Sequence, residues 1–265
     1  MKILILASND VYAGKMIGEL AARNEHEILV LQTPVRQGSN ILQSIKNIIG
    51  TSGFDYTISM VVEHIYFEFI GFYNAIIRKH PAERITIRVA DAIKLFKIKS
   101  GNIKNVNEPS SLATIAAFKP DIILTLYFNQ ILKKDVLSIP SKGAVNFHPS
   151  LLPSYRGAEP YFWVLAEGEK ETGITFHYID QGLDSGDIIA QIKIPIYPRD
   201  SVHSLNIRCM QQGSKLLVQV LEDIANRKVH RIPQDFKKSR VYSFVTRKSV
   251  KMLRKKHKCF IWGIF

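Results

Sequence analysis

Four short apolar runs, alternating with stretches of helical spacing, restrict this chain to few folds. Lys2 to Ala7, Glu27 to Gln32 and Ile122 to Tyr127 are dominated by Ile, Leu and Val, and Gly143 to His148 adds a fourth with Ala144, Val145 and Phe147 as its apolar residues. Runs without a polar alternation are buried on both faces of a sheet, which is the habit of parallel strands covered by helices. Tyr12 to Arg23 carries Met16, Ile17, Leu20 and Ala21 on one helical side, and Pro109 to Phe118 opens on Pro-Ser-Ser before an apolar-periodic stretch. Such alternation predicts an α/β, Rossmann-like, mostly parallel twisted sheet with helices on both faces. Thr175 to Ile179 and Ile188 to Ile196 read as antiparallel strands joined by a Gly- and Asp-rich loop. Tyr161, Phe162 and Trp163 open a further helix, and Val202 to Ile224 forms another.

Residues 36–88 interrupt this rhythm. Met60 to Ile77 is aromatic-rich but holds Glu63, His64 and Glu68, so rather than a membrane span it predicts first a core-packed or amphipathic helix in an insertion, and second a substrate lid, a dimer contact or a membrane-surface helix. Ile85 to Val89 reads as a short strand. The expected organisation is one catalytic domain over residues 1–200, with the insertion inside it, followed by a helix and basic extension over 201–265.

The net charge of +13 is unevenly placed. Residues 227–258 hold thirteen Lys or Arg against one acid, Asp235, while the rest of the chain is nearly neutral. The run reads first as a solvated face and second as a surface for anions, nucleic acid or acidic lipid. Cys209 and Cys259 are the only cysteines, which suggests no disulfide framework and a reducing, cytoplasmic setting. The start, Met1 to Ser8, reads as a buried strand rather than a secretory signal. No Cys/His cluster has zinc-ligand spacing, so no metal is expected.

The chemistry concentrates at Asn146-Phe147-His148-Pro149. Side chains alternate along a strand, so Asn146 and His148 share one face, and Pro149 ends the ladder beside them. Thirty-eight residues after Asn146, Asp184 lies in Gly182-Leu183-Asp184-Ser185-Gly186-Asp187. An amide donor, an imidazole and a carboxylate are the parts for passing an acyl group to an amine. In open α/β sheets, sites form beyond the carboxyl ends of the strands, where His148 falls.

These segments resemble the superfamily of 10-formyltetrahydrofolate-dependent formyltransferases, its sugar N-formyltransferase and methionyl-tRNA formyltransferase branches in particular. The resemblance rests on Asn146 to Pro153, Tyr155-Arg156-Gly157, Glu171 to Thr175 and Gly182 to Asp187. It implies that Asn146, His148 and Asp184 are catalytic and that 10-formyltetrahydrofolate is the formyl donor. It further implies that the pterin lies between Phe128, Gln130 and Leu132 on one side and Ile179, Asp180 and Gly182 on the other. Tyr155 and Arg156 are expected at the acceptor, with Arg156 either clamping a phosphate or bracing its loop. His177 reads as structural, and Asp180 and Asp187 as turn-formers. The acceptor implied first is the primary amine of a nucleotide-linked amino sugar. Methionyl-tRNA comes second, because that branch carries a further C-terminal domain on the order of 100 residues. Glycinamide ribonucleotide, hydrolysis of the donor, and a non-catalytic binding protein on the same fold rank lower. Ile65 to Tyr73 and the tail from Cys259 to Phe265 are candidate homodimer contacts, and the basic, then aromatic tail is also a candidate for a membrane surface.

Overall fold

The structure, a computed structural model, describes residues 1–8, 12–33, 41–76 and 88–260. Strands β1 (Lys2–Ser8), β2 (Glu27–Thr33), β3 (Lys99–Asn102), β4 (Ile122–Leu126), β5 (Ala144–His148), β7 (Glu171–Tyr178) and β8 (Ile188–Pro195) form a sheet in the order β3-β2-β1-β4-β5-β7-β8. The first five strands are parallel, and β7 and β8 are antiparallel to their neighbours. Separately, β6 (Arg156–Gly157) pairs in parallel with β9 (Val241–Tyr242). The helices are α1 (Ala13–Ala22), α2 (Ile41–Ser52), α3 (Phe54–Ile76), α4 (Val89–Phe96), α5 (Pro109–Phe118), α6 (Lys134–Leu137), α7 (Pro160–Glu167), α8 (Val202–Ala225) and α9 (Arg247–Lys255).

The period-two rule assigns each strand residue to a face. Ile3, Ile5 and Ala7 of β1 join the core shared with α1 and α8, whereas Leu4 and Leu6 join the core on the side of Ile115 in α5 and Val136 in α6. In β5, Val145 and Phe147 face the first core and Ala144 the second, so Asn146 and His148 fall on the Ala144 side, as their spacing requires. Helix α8 starts on a reciprocal cap: Ser201 Oγ accepts the Ser204 N–H at 3.1 Å and Ser204 Oγ accepts the Ser201 N–H at 2.9 Å. It buries Leu205, Cys209, Leu217 and Leu221 in the same core as the sheet. A Cβ on its Gly213 would stand 2.3 Å from the Phe147 ring, so a bare backbone there lets α8 close over the residue between Asn146 and His148.

Two expectations change. Val89 is the first residue of α4, where the sequence suggested the end of a strand; residues 85–87 of that strand lie outside the described residues, as do 36–40 and 77–84 of the insertion and 261–265 of the tail. Helix α3 begins at Phe54, six residues before Met60. Strands β3, β6 and β9 have no apolar run to announce them: β3 is Lys-Ser-Gly-Asn at a sheet edge, and the other two are two residues each.

Candidate active site

A cavity of about 690 Å³ opens at the carboxyl ends of β4 and β5. Asn146, His148 and Asp184 all line it, although Asp184 comes from the loop between β7 and β8. His148 is 3% exposed and the Asp184 side chain 13%, so both are largely shielded by protein. Asp184 Oδ2 stands 3.8 Å from His148 Nδ1, and its Oδ1 stands 3.8 Å from His177 Nε2. These separations are too long for hydrogen bonds but short for charge–charge contact in a shielded site.

Hydrogen-bond partners assign the tautomers. His148 Nε2 lies 2.9 Å from the Tyr155 carbonyl, which only accepts, so Nε2 carries the hydrogen and neutral His148 offers its Nδ1 lone pair on the Asp184 side. His177 Nδ1 lies 2.8 Å from the Tyr178 carbonyl, so its Nε2 is the acceptor, and Asn146 Nδ2 donates to it at 3.1 Å. On the other side of the amide, Thr125 Oγ1 donates to Asn146 Oδ1 at 2.6 Å. Thr125 and His177 therefore hold the Asn146 amide in one orientation, with its second Nδ2 hydrogen left for a ligand.

Burial, with His148 beside it, pushes the His177 imidazole down to about 4, although the Asp184 carboxylate works against both. The folded chain thus keeps His177 neutral while the unfolded chain protonates it near 6.5, the ordinary value. Stability is whole above about pH 6.5 and falls as pH drops from there towards about 4. Replacing His177 by Asn is expected to flatten that part of the profile in urea denaturation. A variant with the wild-type slope would show that another group titrates.

The Asp184 loop is braced on several sides. The Gly157 N–H donates to Asp184 Oδ2 at 2.8 Å, and Gln234 Nε2 donates to the Asp184 and Gly186 carbonyls at 3.0 and 2.7 Å. Arg156 Nε donates to the Leu183 carbonyl at 2.7 Å, and its guanidinium lies over the Phe236 ring. Arg156 thus ties its own loop to that of Asp184. Tyr155 is also one layer back: its hydroxyl donates to Glu169 at 2.7 Å and its ring stacks on Tyr242. Neither Arg156 nor Tyr155 is among the residues lining the cavity.

Phe128, Gln130, Leu132, Ile179, Asp180 and Gly182 do line it. The Gln130 side chain is already engaged, accepting the Val106 N–H and donating to the Lys104 carbonyl, each at 2.7 Å. Asp180 Oδ1 accepts from the Gly182 N–H at 2.9 Å and from Ser185 Oγ at 2.6 Å, which is the turn-forming role read from the sequence. What these six positions present is an apolar slot of Phe128, Leu132 and Ile179 edged by loop backbone.

The opposite wall was not legible in the sequence. Val241 to Phe244 line the cavity because β9 pairs with β6. Tyr242 packs on Trp163, whose Nε1 donates to the Ser243 carbonyl at 2.9 Å, and Phe244 is 71% exposed on the rim. Their only signal was an aromatic pair inside a basic run. Phe162, fully buried, serves the core.

Residues 77–221, more than half of the chain, match the family described as formyl transferase. The methionyl-tRNA formyltransferase of Methylacidiphilum infernorum is 42% identical over 132 residues, 50% of this chain and 41% of that protein. That of Desulforamulus reducens is 35% identical over 176 residues, 66% of this chain and 52% of that protein. The chain thus spans about half the length of these curated relatives. Among solved structures, an N-formyltransferase from Helicobacter canadensis, in complex with folinic acid and dTDP-3-aminofucose, aligns with a TM-score of 0.58. It is 18% identical and the match covers 92% of this chain and 71% of that one, a likeness of fold.

Proposed function

This chain belongs to the formyl transferase family, and on that premise we propose that it moves the formyl group of 10-formyltetrahydrofolate to a primary amine. The observation that carries this reading is the fixed amide of Asn146 beside the His148 and Asp184 pair on one cavity edge. The folate donor fits the slot: its flat pterin matches the Phe128, Leu132 and Ile179 surfaces, and the cavity of about 690 Å³ has the size of small-molecule sites.

The amine nitrogen attacks the formyl carbon, and the carbonyl oxygen gains negative charge. Asn146 donates its free Nδ2 hydrogen to that oxygen, a contact that strengthens as the charge develops. His148 takes the amine proton on Nδ1, the atom left basic by the Tyr155 carbonyl. The Asp184 carboxylate, 3.8 Å away, stabilises the imidazolium so formed. The bond from the formyl carbon to the folate nitrogen then breaks, and that nitrogen takes up one proton. Carbon–nitrogen bonds formed and broken balance, and no enzyme-bound acyl group is needed.

For the acceptor we favour the amine of a nucleotide-linked amino sugar. An aromatic wall at Tyr242 and Phe244 offers stacking surface for a base or a sugar ring, and the structural relative from Helicobacter canadensis was solved with such a compound. Methionyl-tRNA is the second reading, favoured by the identity of 42% to a methionyl-tRNA formyltransferase. Release of tetrahydrofolate, followed with a panel of nucleotide-linked amino sugars and charged methionyl-tRNA side by side, decides between them. Turnover with an amino sugar and none with the tRNA is the expected result. The reverse pattern reverses the assignment, and no release with any amine removes formyl transfer itself.

A further inference from the structure

Helix α3 is apolar on its outward face as well as on its inward one, where Tyr56 joins the main core and Met60 and Tyr66 pack against it. Its buried positions include Tyr56, Thr57 and Ser59, whereas Phe54, Ile58, Val61, Val62, Ile65 and Phe69 are exposed. At 3.6 residues per turn these six fall within an arc of about 100° and run for about 22 Å along the helix. Phe54, Ile65 and Phe69 are each more than 60% exposed. Single exposed hydrophobes need no explanation, but a continuous stripe marks a surface built for contact.

The stripe adjoins the basic end of the chain. Arg254 of α9 pairs with Asp55, the neighbour of Phe54, and Arg247 Nη2 donates to the Ile49 carbonyl of α2 at 2.9 Å. Residues 247–258 hold seven Lys or Arg and no acid, and Lys248, Lys251 and Lys255 are exposed. The face also borders the catalytic cavity: Tyr56 donates to Glu159 on the cavity wall at 2.9 Å, and Ser52 donates to the carbonyl of Val245, next to Phe244, at 2.7 Å.

We propose that the α3 stripe and the α9 cations form one face that docks on an anionic lipid surface beside the mouth of the catalytic cavity. Charge decides between occupants. A two-fold dimer through this face would cover the stripe but offer the α9 cations no acid from residues 247–258, and a nucleic acid would satisfy the cations but leave the apolar stripe in water. An anionic bilayer takes both, with acyl boundary for the stripe and headgroups for the lysines. Helix α3 is not apolar enough to cross a bilayer, so it lies along the interface. The docking does not depend on formyl transfer.

The test is co-sedimentation of the full chain with phosphatidylcholine vesicles, with and without phosphatidylglycerol. The chain is expected to pellet with the anionic vesicles only, and more weakly as salt is raised. Ile65→Glu with Phe69→Glu, and separately Lys248→Glu with Lys251→Glu, should each lower binding by about tenfold or more. Far-UV circular dichroism and tetrahydrofolate release without vesicles should match wild type for both. Failure of the wild-type chain to pellet, stripe variants that bind as well as wild type, or self-association that Phe69→Glu abolishes would each overturn the proposal. So would binding to RNA with none to vesicles. Sedimentation is read without turnover, so docking and formyl transfer fail separately.

Discussion

Replacement of Asn146 by Ala is expected to lower kcat for formyl transfer by about 10²–10³-fold, some 3–4 kcal/mol of transition-state stabilisation, with KM for the formyl donor little changed. The split follows from the geometry. The free Nδ2 hydrogen meets little charge on a ground-state formyl oxygen and much more on the developing oxyanion, so its loss is felt in kcat. Thr125→Val is the companion. It removes the 2.6 Å hydrogen bond to Asn146 Oδ1 and leaves only His177 to orient the amide, so a smaller loss of about tenfold is expected, with Thr125→Ser near wild type. Steady-state release of tetrahydrofolate, alongside thermal midpoints, measures both. Near wild-type kcat in Asn146→Ala would remove the amide from the chemistry. Equal losses in the Val and Ser variants would show that Thr125 acts through packing rather than its hydroxyl.

Gly157→Val carries the second large expectation, a loss of about 3 kcal/mol of stability and most of the activity. Gly157 has φ +97°, which a β-branched residue rarely adopts, and a Cβ there would lie 2.2 Å from the Tyr242 carbonyl oxygen. That oxygen is backbone and has no rotamer to retreat into. The β6–β9 pairing would open, the wall of Val241 to Phe244 would leave the cavity, and the Gly157 N–H would lose Asp184 Oδ2. Gly168→Ala is the control. Its φ of +83° is also positive, but the nearest atom, 2.9 Å away, is Lys256 Nζ at the end of a flexible side chain. About 1 kcal/mol of stability and full activity are expected there. Urea denaturation and kcat on both variants give the comparison. Equal effects would mean that glycine conformation alone, not the β6–β9 wall, governs the site.

The local signals in this chain were strong where one element carries all the information. Ile3 and Leu4 alternate between two cores, Pro109 opens α5, and Asn146 and His148 share a strand face, and each of these follows from periodicity within a few residues. Signals failed where a residue's role depends on a distant partner. His177 read as structural, but the partners its ring meets, Asn146 at 3.1 Å and Asp184 at 3.8 Å, are distant in the chain. Arg156 read as a phosphate clamp or a loop brace, and the carbonyl it meets in the fold, that of Leu183, lies 27 positions away. Tyr242 and Phe244 lay inside a run whose charge concealed a wall of the cavity.

By itself, then, the sequence determined the alternating α/β architecture, the strand end that presents Asn146 and His148, and a carboxylate on a tight loop. These depend on backbone periodicity and turn chemistry, which are properties of neighbours along the chain. Only the tertiary structure decided which tautomer each histidine holds, which way the Asn146 amide points, and that the C-terminal segment closes the site. Those are set by hydrogen-bond partners and packing surfaces brought together from as far apart as Thr125, His177 and Tyr242, and no local pattern encodes the meeting of groups so distant in the chain.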